Sequence, residues 1–400
     1  MRALWVHDHP FVRLPHGAVA SRGKFPAIAW ERYLEVFNDL TVVGRDGGAH
    51  VGAHQVDMSS REGVRHVLLQ AIHSPRGLIS NLSAVRSAIR QLVVGSEAVI
   101  VRMPSLFGEI AAKQAESAGK MWAVEVVACP WDAYWNYGSI AGQLMAPRAY
   151  LSMRRVVRRA PFAIYVTEHF LQRRYPTKGI AASASNVELI EWDRSILAKR
   201  LRRPLPPAPV VGLIGGLTNE MKGHRTLLKA VALLSPKHPS LQVRLLGGGN
   251  TEGWQHLADR LGVGDRVVFD GTLRAGAEVN GWLDSLDLYT QPSFQEGLPR
   301  SLIEAMARGL PAIGSRVAGI PELLDDDLMH RPGDAGGLAE RIDIFLSDKE
   351  RRLQASVDNF ARAGRYRREI VSKARHRFWA EFAEAVRIRN NITSSTEAAS

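Results

Sequence analysis

The chain has 400 residues, 46% hydrophobic and 23% charged, with a formal net charge of +12 and one cysteine, Cys129. That length supports two domains with full cores, and a lone cysteine excludes a disulfide framework. No apolar run is long enough to span a bilayer, and MRALWVHDHPF has no apolar stretch before charge and His appear, so neither a spanning helix nor a signal peptide is expected and a cytoplasmic protein fits best.

In the first half, MRALWVH, NDLTVVGR, EAVIVRMP, KMWAVEVVACP and FAIYVTEHF read as strands with helical stretches between them. They predict a doubly wound α/β domain over residues 1–203. HDHPFVRLPHGAVASRGKFP (His7–Pro26) reads as a long loop after the first strand, and Trp30–Phe37 as the start of an amphipathic helix packed in the core. Residues 1–200 carry a net +9 against +3 for residues 201–400, with Arg154, Arg155, Arg158, Arg159, Arg173 and Arg174 prominent. Such a patch can attract anionic lipid or nucleic acid. Zinc-finger, RNP-type and helix-turn-helix signatures are lacking, so nucleic acid is not an expected partner and an anionic membrane surface is the better one. A solvated helix face is the plainer alternative.

LRRPLPPAPVVGLIGG places four prolines between Leu201 and Pro209. Proline there sets an extended connection, and a second domain is expected over residues 204–366. VVGLIGGL, LQVRLLGGG, DRVVFDGTL, LDLYTQPS and LPAIGSRV alternate with helical patterns, and GIPELL reads as a further helix start. Repeated β-α units imply a parallel, doubly wound sheet, with ligands bound at the carboxyl ends of its strands. REIVSKARHRFWAEFAEAV is an amphipathic helix with Ile370, Phe378, Phe382 and Val386 on related faces, and residues 390–400 read as a flexible polar tail. Two α/β domains facing a ligand-enclosing cleft are the expected architecture.

The stretch EGLPRSLIEAMARGLP places Glu296 before a helix start and Glu304 inside the helix. Pro299 suits a first helical turn, and the backbone around Gly297–Arg300 is then an anion site. A carboxylate before that site can accept from sugar hydroxyls, and one inside the helix from a ribose. The plain alternative is a Glu304–Arg308 pair with Glu296 solvated. In GGLTNEMKGHRTLL, Lys222 near glycine-rich backbone is a candidate phosphate ligand, although P-loop spacing is missing.

Together these residues resemble the retaining glycosyltransferases of the two-domain GT-B fold, family 4. The shared features are the glycine turn and Lys-Gly (Gly215–Gly223), then Glu296, Glu304–Ala307, Gly309 and Pro311, with LLGGG, VVFDGTL and GIPELL in order. The likeness covers roughly Val210 to Ala339 well and is loose over residues 1–200. It implies a metal-free, cofactor-free hexosyl transfer from a UDP- or GDP-linked sugar to a glycan or polyprenyl-pyrophosphate-linked acceptor in bacterial polysaccharide synthesis, at the inner face of the membrane. Glu296 would contact the donor sugar and Glu304 the ribose. Gly297, Leu298, Pro299 and Arg300 would lie by the diphosphate or sugar, and Thr272, within Gly271–Leu273, by the base. Lys222, helped by Arg225 or Arg300, would neutralise the leaving phosphates, and the C-terminal helix would cross back to the first domain. Asp325–Asp327 is read as an acidic loop rather than a metal site.

Two positions depart from the pattern. Gly216 stands where the family usually has Arg, and Cys129, Pro130, Trp131 and Asp132 stand where many members have His. Asp132 is a candidate polar group near the reacting sugar, or else a helix cap. On the acceptor side, His7, Asp8, His9 and His169 are candidate contacts. A nucleotide-sugar 2-epimerase and a non-catalytic nucleotide-sugar- or glycan-binding partner are the rival readings.

Overall fold

The computed structural model describes the chain except residues 22–24, 50–55, 137–138 and 399–400, and no side chain at Pro75 or residues 393–398. Parts of the expected His7–Pro26 loop and 390–400 tail therefore lie outside the described residues. Two compact units divide the chain. One comprises Met1–Pro130, Arg148–Ala184 and Ser372–Ser400, the other Trp131–Pro147 and Ser185–Val371.

The first unit is built on β1 (Arg2–Arg13), β2 (Val19–Ser21), β3 (Asp39–Ala49), β4 (Asp57–Met58), β5 (Val64–Leu69), β6 (Ala98–Met103), β7 (Met121–Val126), β8 (Phe162–Tyr165) and β9 (Ile180–Ser183). Its parallel part runs β5-β3-β1-β6-β7-β8-β9, with β2 and β4 added antiparallel beyond β1. Apolar runs such as AVIVRM and FAIY suit strands covered on both faces. The expected loop from His7 is a correction, because β1 stays extended to Arg13. Ala3–Val6 lie between β3 and β6, and Phe11–Arg13 then pair with β2 while β3 continues alongside. Those pairings, with Phe11 and Val12 buried, satisfy backbone that a loop would expose.

Trp5, Phe25, Trp30, Tyr33 and Phe37 form the core of this unit with Phe378, Trp379, Phe382 and Val386 of the C-terminal helix Arg368–Ala398. Ile370 does not share that face and is 43% exposed. The helix continues through most of the stretch read as a tail, since no Gly or Pro interrupts it after Arg368. Its first residues, to Val371, belong to the second unit.

The second unit carries β10 (Val210–Ile214), β11 (Gln242–Leu246), β12 (Val267–Phe269), β13 (Leu288–Gln291), β14 (Ala312–Ser315) and β15 (Met329–His330). All pairs are parallel, in the order β12-β11-β10-β13-β14-β15. The winding direction reverses between β10 and β13, which defines a switch point at their carboxyl ends. The longer segment of the unit begins at Ser185, ahead of the prolines, because the helix Arg194–Arg202 is fastened to it. Arg200 donates to the carbonyl oxygens of Leu286 (2.6 Å) and Leu283 (3.3 Å). GIPELL forms only a short 3-10 turn, Ile320–Glu322, not a helix. The chain restarts at Asp326–Leu328, where Arg362, Arg316 and Arg351 hold Asp325, Asp326 and Asp327 in turn.

The contrast along the C-terminal helix is measurable. Phe382→Ala should cost about 3–5 kcal/mol in urea unfolding, and Ile370→Ala should stay within about 0.5 kcal/mol. Equal losses would contradict the assigned face.

Candidate active site at the switch point of the second sheet

The chain leaves β10 through Gly215 and Gly216 and turns at Glu220–Lys222 before the helix His224–Leu234. Asn219 caps the turn by accepting from the Met221 amide at 3.1 Å. Gly223 ends it at φ +78°, and a Cβ there would stand 2.0 Å from the Pro292 carbonyl oxygen. Only glycine fits both the backbone angle and this approach to the loop after β13. At Gly215 a Cβ would stand 2.6 Å from Lys222 Cγ, so the bare backbone lets the lysine stem cross it.

Lys222 thereby reaches Glu296. Its Nζ donates to Glu296 Oε1 at 2.7 Å, and the same oxygen accepts from Gln291 Nε2 at 2.9 Å and Ser293 Oγ at 2.7 Å. Glu296 is 8% exposed, whereas the Lys222 side chain is 33% exposed. Gln291, fully buried at the end of β13, accepts in turn from Tyr289 Oη at 2.8 Å and Ser301 Oγ at 2.9 Å. The sequence reading missed Gln291, Ser293 and Ser301. The signal for the first two was the polar run QPS closing an apolar strand.

The helix Arg300–Ala307 starts one residue after Pro299, which stands at the N-cap position rather than in the first turn. Gly319 N–H donates to the Gly297 carbonyl at 2.9 Å and fixes the approach to the helix. Glu304 pairs with Arg300, Nε to Oε1 at 2.7 Å, and not with Arg308, which joins Asp284 and Glu191 instead. Arg225 is likewise engaged, by Glu220. Neighbouring strand ends are laced through backbone: Leu217 N–H to Gly248 O at 2.9 Å and Gly247 N–H to Gly271 O at 2.7 Å. Thr272 is exposed beside Gly248, and Gly216 faces only the Gly248 carbonyl, 3.7 Å from where its Cβ would be.

Asp132 lies on the helix Pro130–Trp135 in its first turn, within a segment that belongs to the second unit. Asn136, just beyond, donates to the Phe294 carbonyl at 3.1 Å, two residues before Glu296. The acceptor-side candidates lie in the first unit. His9 is a correction: it is buried between Phe11 and Phe25 with Nε2 2.8 Å from Ser21 Oγ, a core residue. His7 packs its ring near Trp5 and Phe25. His169 is exposed, just past β8. Asp8 accepts from His73 Nε2 and from the Leu106 amide, both at 2.9 Å. Burial works against its charge, but the hydrogen bond from His73, the nearby His7 and the Leu106 amide together hold its carboxyl below the usual range. His73 was missed at the sequence level. Glu109, which accepts from Ser152 Oγ at 2.7 Å, is pushed up by burial, with the charge of Asp8 adding to the shift.

Residues 208–348 match the family model of glycosyl transferases group 1. Over 381 residues, 94% of each chain, the protein is 28% identical to Protein CapJ of Staphylococcus aureus. A shorter match, 33% identical over 140 residues, joins 32% of this chain to 29% of a D-inositol 3-phosphate glycosyltransferase of Streptomyces griseus. The fold is shared with sucrose-phosphate synthase from Thermosynechococcus elongatus, at a TM-score of 0.69 and 18% identity over 96% of this chain and 100% of that one. It is shared too with Anabaena HepE in complex with UDP and glucose, at 0.65 and 16% over 93% and 97%. The architecture is that of the GT-B enzymes. Residues 208–348 are those of a group 1 glycosyl transferase. Among the described residues no helix is long and apolar enough to cross a membrane.

His224, buried at the start of its helix with Nε2 3.2 Å from the Gly215 carbonyl, gives the fold a pH limit. Burial depresses its pKa to about 4 from an ordinary 6.5. The unfolded chain therefore takes up a proton below pH 6.5 that the folded chain refuses until about pH 4, and stability falls across that window. The loss attributable to His224 should approach about 3 kcal/mol. His224→Gln should flatten the pH dependence of urea unfolding between pH 7.5 and 5 by a corresponding share. His66, lowered to about 4 by burial in the first unit, should supply a similar residue of slope.

Proposed function

We propose that the protein transfers a sugar from a nucleoside-diphosphate sugar, with retention and without metal, to a glycan or polyprenyl-pyrophosphate-linked acceptor in bacterial polysaccharide synthesis. The observation that carries this reading is the Lys222–Glu296 pair at the switch point, 2.7 Å apart and steadied by Gln291 and Ser293. Departure of a nucleoside diphosphate leaves an oxocarbenium-like sugar and a charged phosphate. Fixed donors and charges aimed at that phosphate supply the stabilisation.

In this reading Lys222 keeps its bond to Glu296 and directs its remaining N–H groups to the leaving phosphate. Glu296, held by buried partners, keeps its place and accepts from a sugar hydroxyl. The amides of Gly297 and Leu298 face the diphosphate at the helix start. Glu304 exchanges its surface partner Arg300 for the ribose hydroxyls, and the backbone near Thr272 meets the base. UDP is the favoured base because the structural relative HepE was captured with UDP-glucose, with GDP the alternative. Attack from the departing face gives retention. His7, Asp8 and His169 are the polar groups assigned to the acceptor, with an anionic membrane surface as a peripheral contact. Asp132 is assigned to the reacting sugar, since its helix adjoins the loop that carries Glu296.

A second reading, a donor-binding protein without turnover, is favoured by Gly216, which supplies no side chain to the phosphates.

Thermal-shift titration with UDP-, GDP-, ADP- and dTDP-sugars separates the two together with a turnover assay. One base should raise the melting temperature, by the equivalent of about 2.7 kcal/mol at a hundredfold its Kd. Glu304→Ala should weaken that donor about tenfold or more. Glu296→Gln should retain binding and lose about a hundredfold or more in kcat. No shift with any nucleotide sugar would sink the donor site; a shift without turnover on any acceptor would select the second reading.

A further inference from the structure

The helix Ile140–Arg159 contains five arginines, Arg148, Arg154, Arg155, Arg158 and Arg159, and no acidic residue. Ala146, Met153 and Val157 form its buried side. On the opposite side stand Ile140, Leu144 and Leu151, 78%, 75% and 57% exposed. At 100° per residue these three fall in one stripe, and the stripe runs on into the exposed Arg155 and Arg158, with Arg148 at its edge. Just before the helix Trp135, 46% exposed, stacks on Trp131 at 5.3 Å between ring centroids. Among the described residues Arg159 pairs with the carboxylate of Glu116, and Arg148 lies near enough to Glu109 to favour its charge.

Large aliphatic side chains exposed along three turns of one helix signal an interaction surface. The accompanying charge selects its occupant. A second copy would set arginine against arginine, whereas a phosphate-bearing lipid surface complements them and accepts the aliphatic groups below its headgroups. We propose that this face seats the protein on an anionic bilayer, with Ile140, Leu144 and Leu151 entering the headgroup boundary and Arg148, Arg155 and Arg158 taking lipid phosphates. The inference deepens the lipid-linked acceptor reading, on which it rests for its purpose, by assigning the contact to one helix face.

Co-sedimentation of the full chain with phosphatidylcholine vesicles, with and without phosphatidylglycerol, is the test. Binding should require phosphatidylglycerol and weaken with added salt. The double substitution Arg155→Gln, Arg158→Gln should lower the partition coefficient about 25-fold. Ile140→Ser with Leu144→Ser should abolish binding at an unchanged melting temperature. Three results overturn the proposal: no binding by the unaltered protein, equal binding by both variants, or a concentration-dependent dimer that Ile140→Ser with Leu144→Ser abolishes, which would give the face to a second copy. Nucleotide-sugar titration on the same samples separates the two failures. Donor binding without vesicle binding removes this inference alone, and vesicle binding without donor binding removes the functional reading alone.

Discussion

Burying a carboxylate as deeply as Glu296 carries a desolvation cost of several kcal/mol unless charge and hydrogen bonds meet it in place. Three donors do so at one oxygen, from Lys222, Gln291 and Ser293. Lys222 follows β10, and the other two close β13, about 70 residues later in the chain. They converge because β10 and β13 are neighbours in the sheet while their following connections turn opposite ways. A strand order that separated the two would leave the carboxylate buried and unpaired. The bare backbone at Gly215 and the left-handed turn at Gly223 serve the same convergence, bringing lysine and β13 loop within reach.

The two glutamates then differ in what they can do. Glu296 is enclosed and multiply bonded, so exchanging its partners is costly. Glu304 is held by Arg300, whose side chain is 61% exposed. An ion pair that open to water contributes at most about 1 kcal/mol, little enough for a ligand hydroxyl to displace. One carboxylate is fixed by its buried partners and the other is held by a partner it can exchange. The motif spacing alone assigns them no such difference; burial does.

Most of the architecture was legible in sequence because parallel strands covered on both faces are short apolar runs, and those of β6, β7, β8 and β10 to β14 stand out. Strands lacking that signal were missed: β2 and β4 on an edge, β5 with Arg65 and His66 inside it, β9 with exposed residues, and the two-residue β15. The course of β1 was misread because HDHP looks like a loop when its partners in β2 and β3 are unknown. The positions of Glu296, Lys222 and Glu304 at strand ends and helix starts were legible because the glycines and prolines around them fix local geometry. Gln291, Ser293 and His73 were not, since their roles depend on which strand ends meet. The same limit hid the core position of His9.

Both units present a helix start near a switch point, but they use it differently. In the first, Asp8 of β1 reaches the N-terminus of the helix Leu106–Ser117 and accepts from the Leu106 amide at 2.9 Å, with Ser105 capping beside it. The partial positive charge there is met by the protein's own carboxylate. In the second, the helix Arg300–Ala307 has no acidic residue in its first turn and no side-chain cap. Among the described residues, the N–H groups of Gly297 and Leu298 find no backbone acceptor. An anion arriving at the first helix would compete with Asp8; one arriving at the second would meet unspent donors and the ammonium of Lys222. That asymmetry is set by Asp8 and the Ser105 cap, which the second helix start lacks.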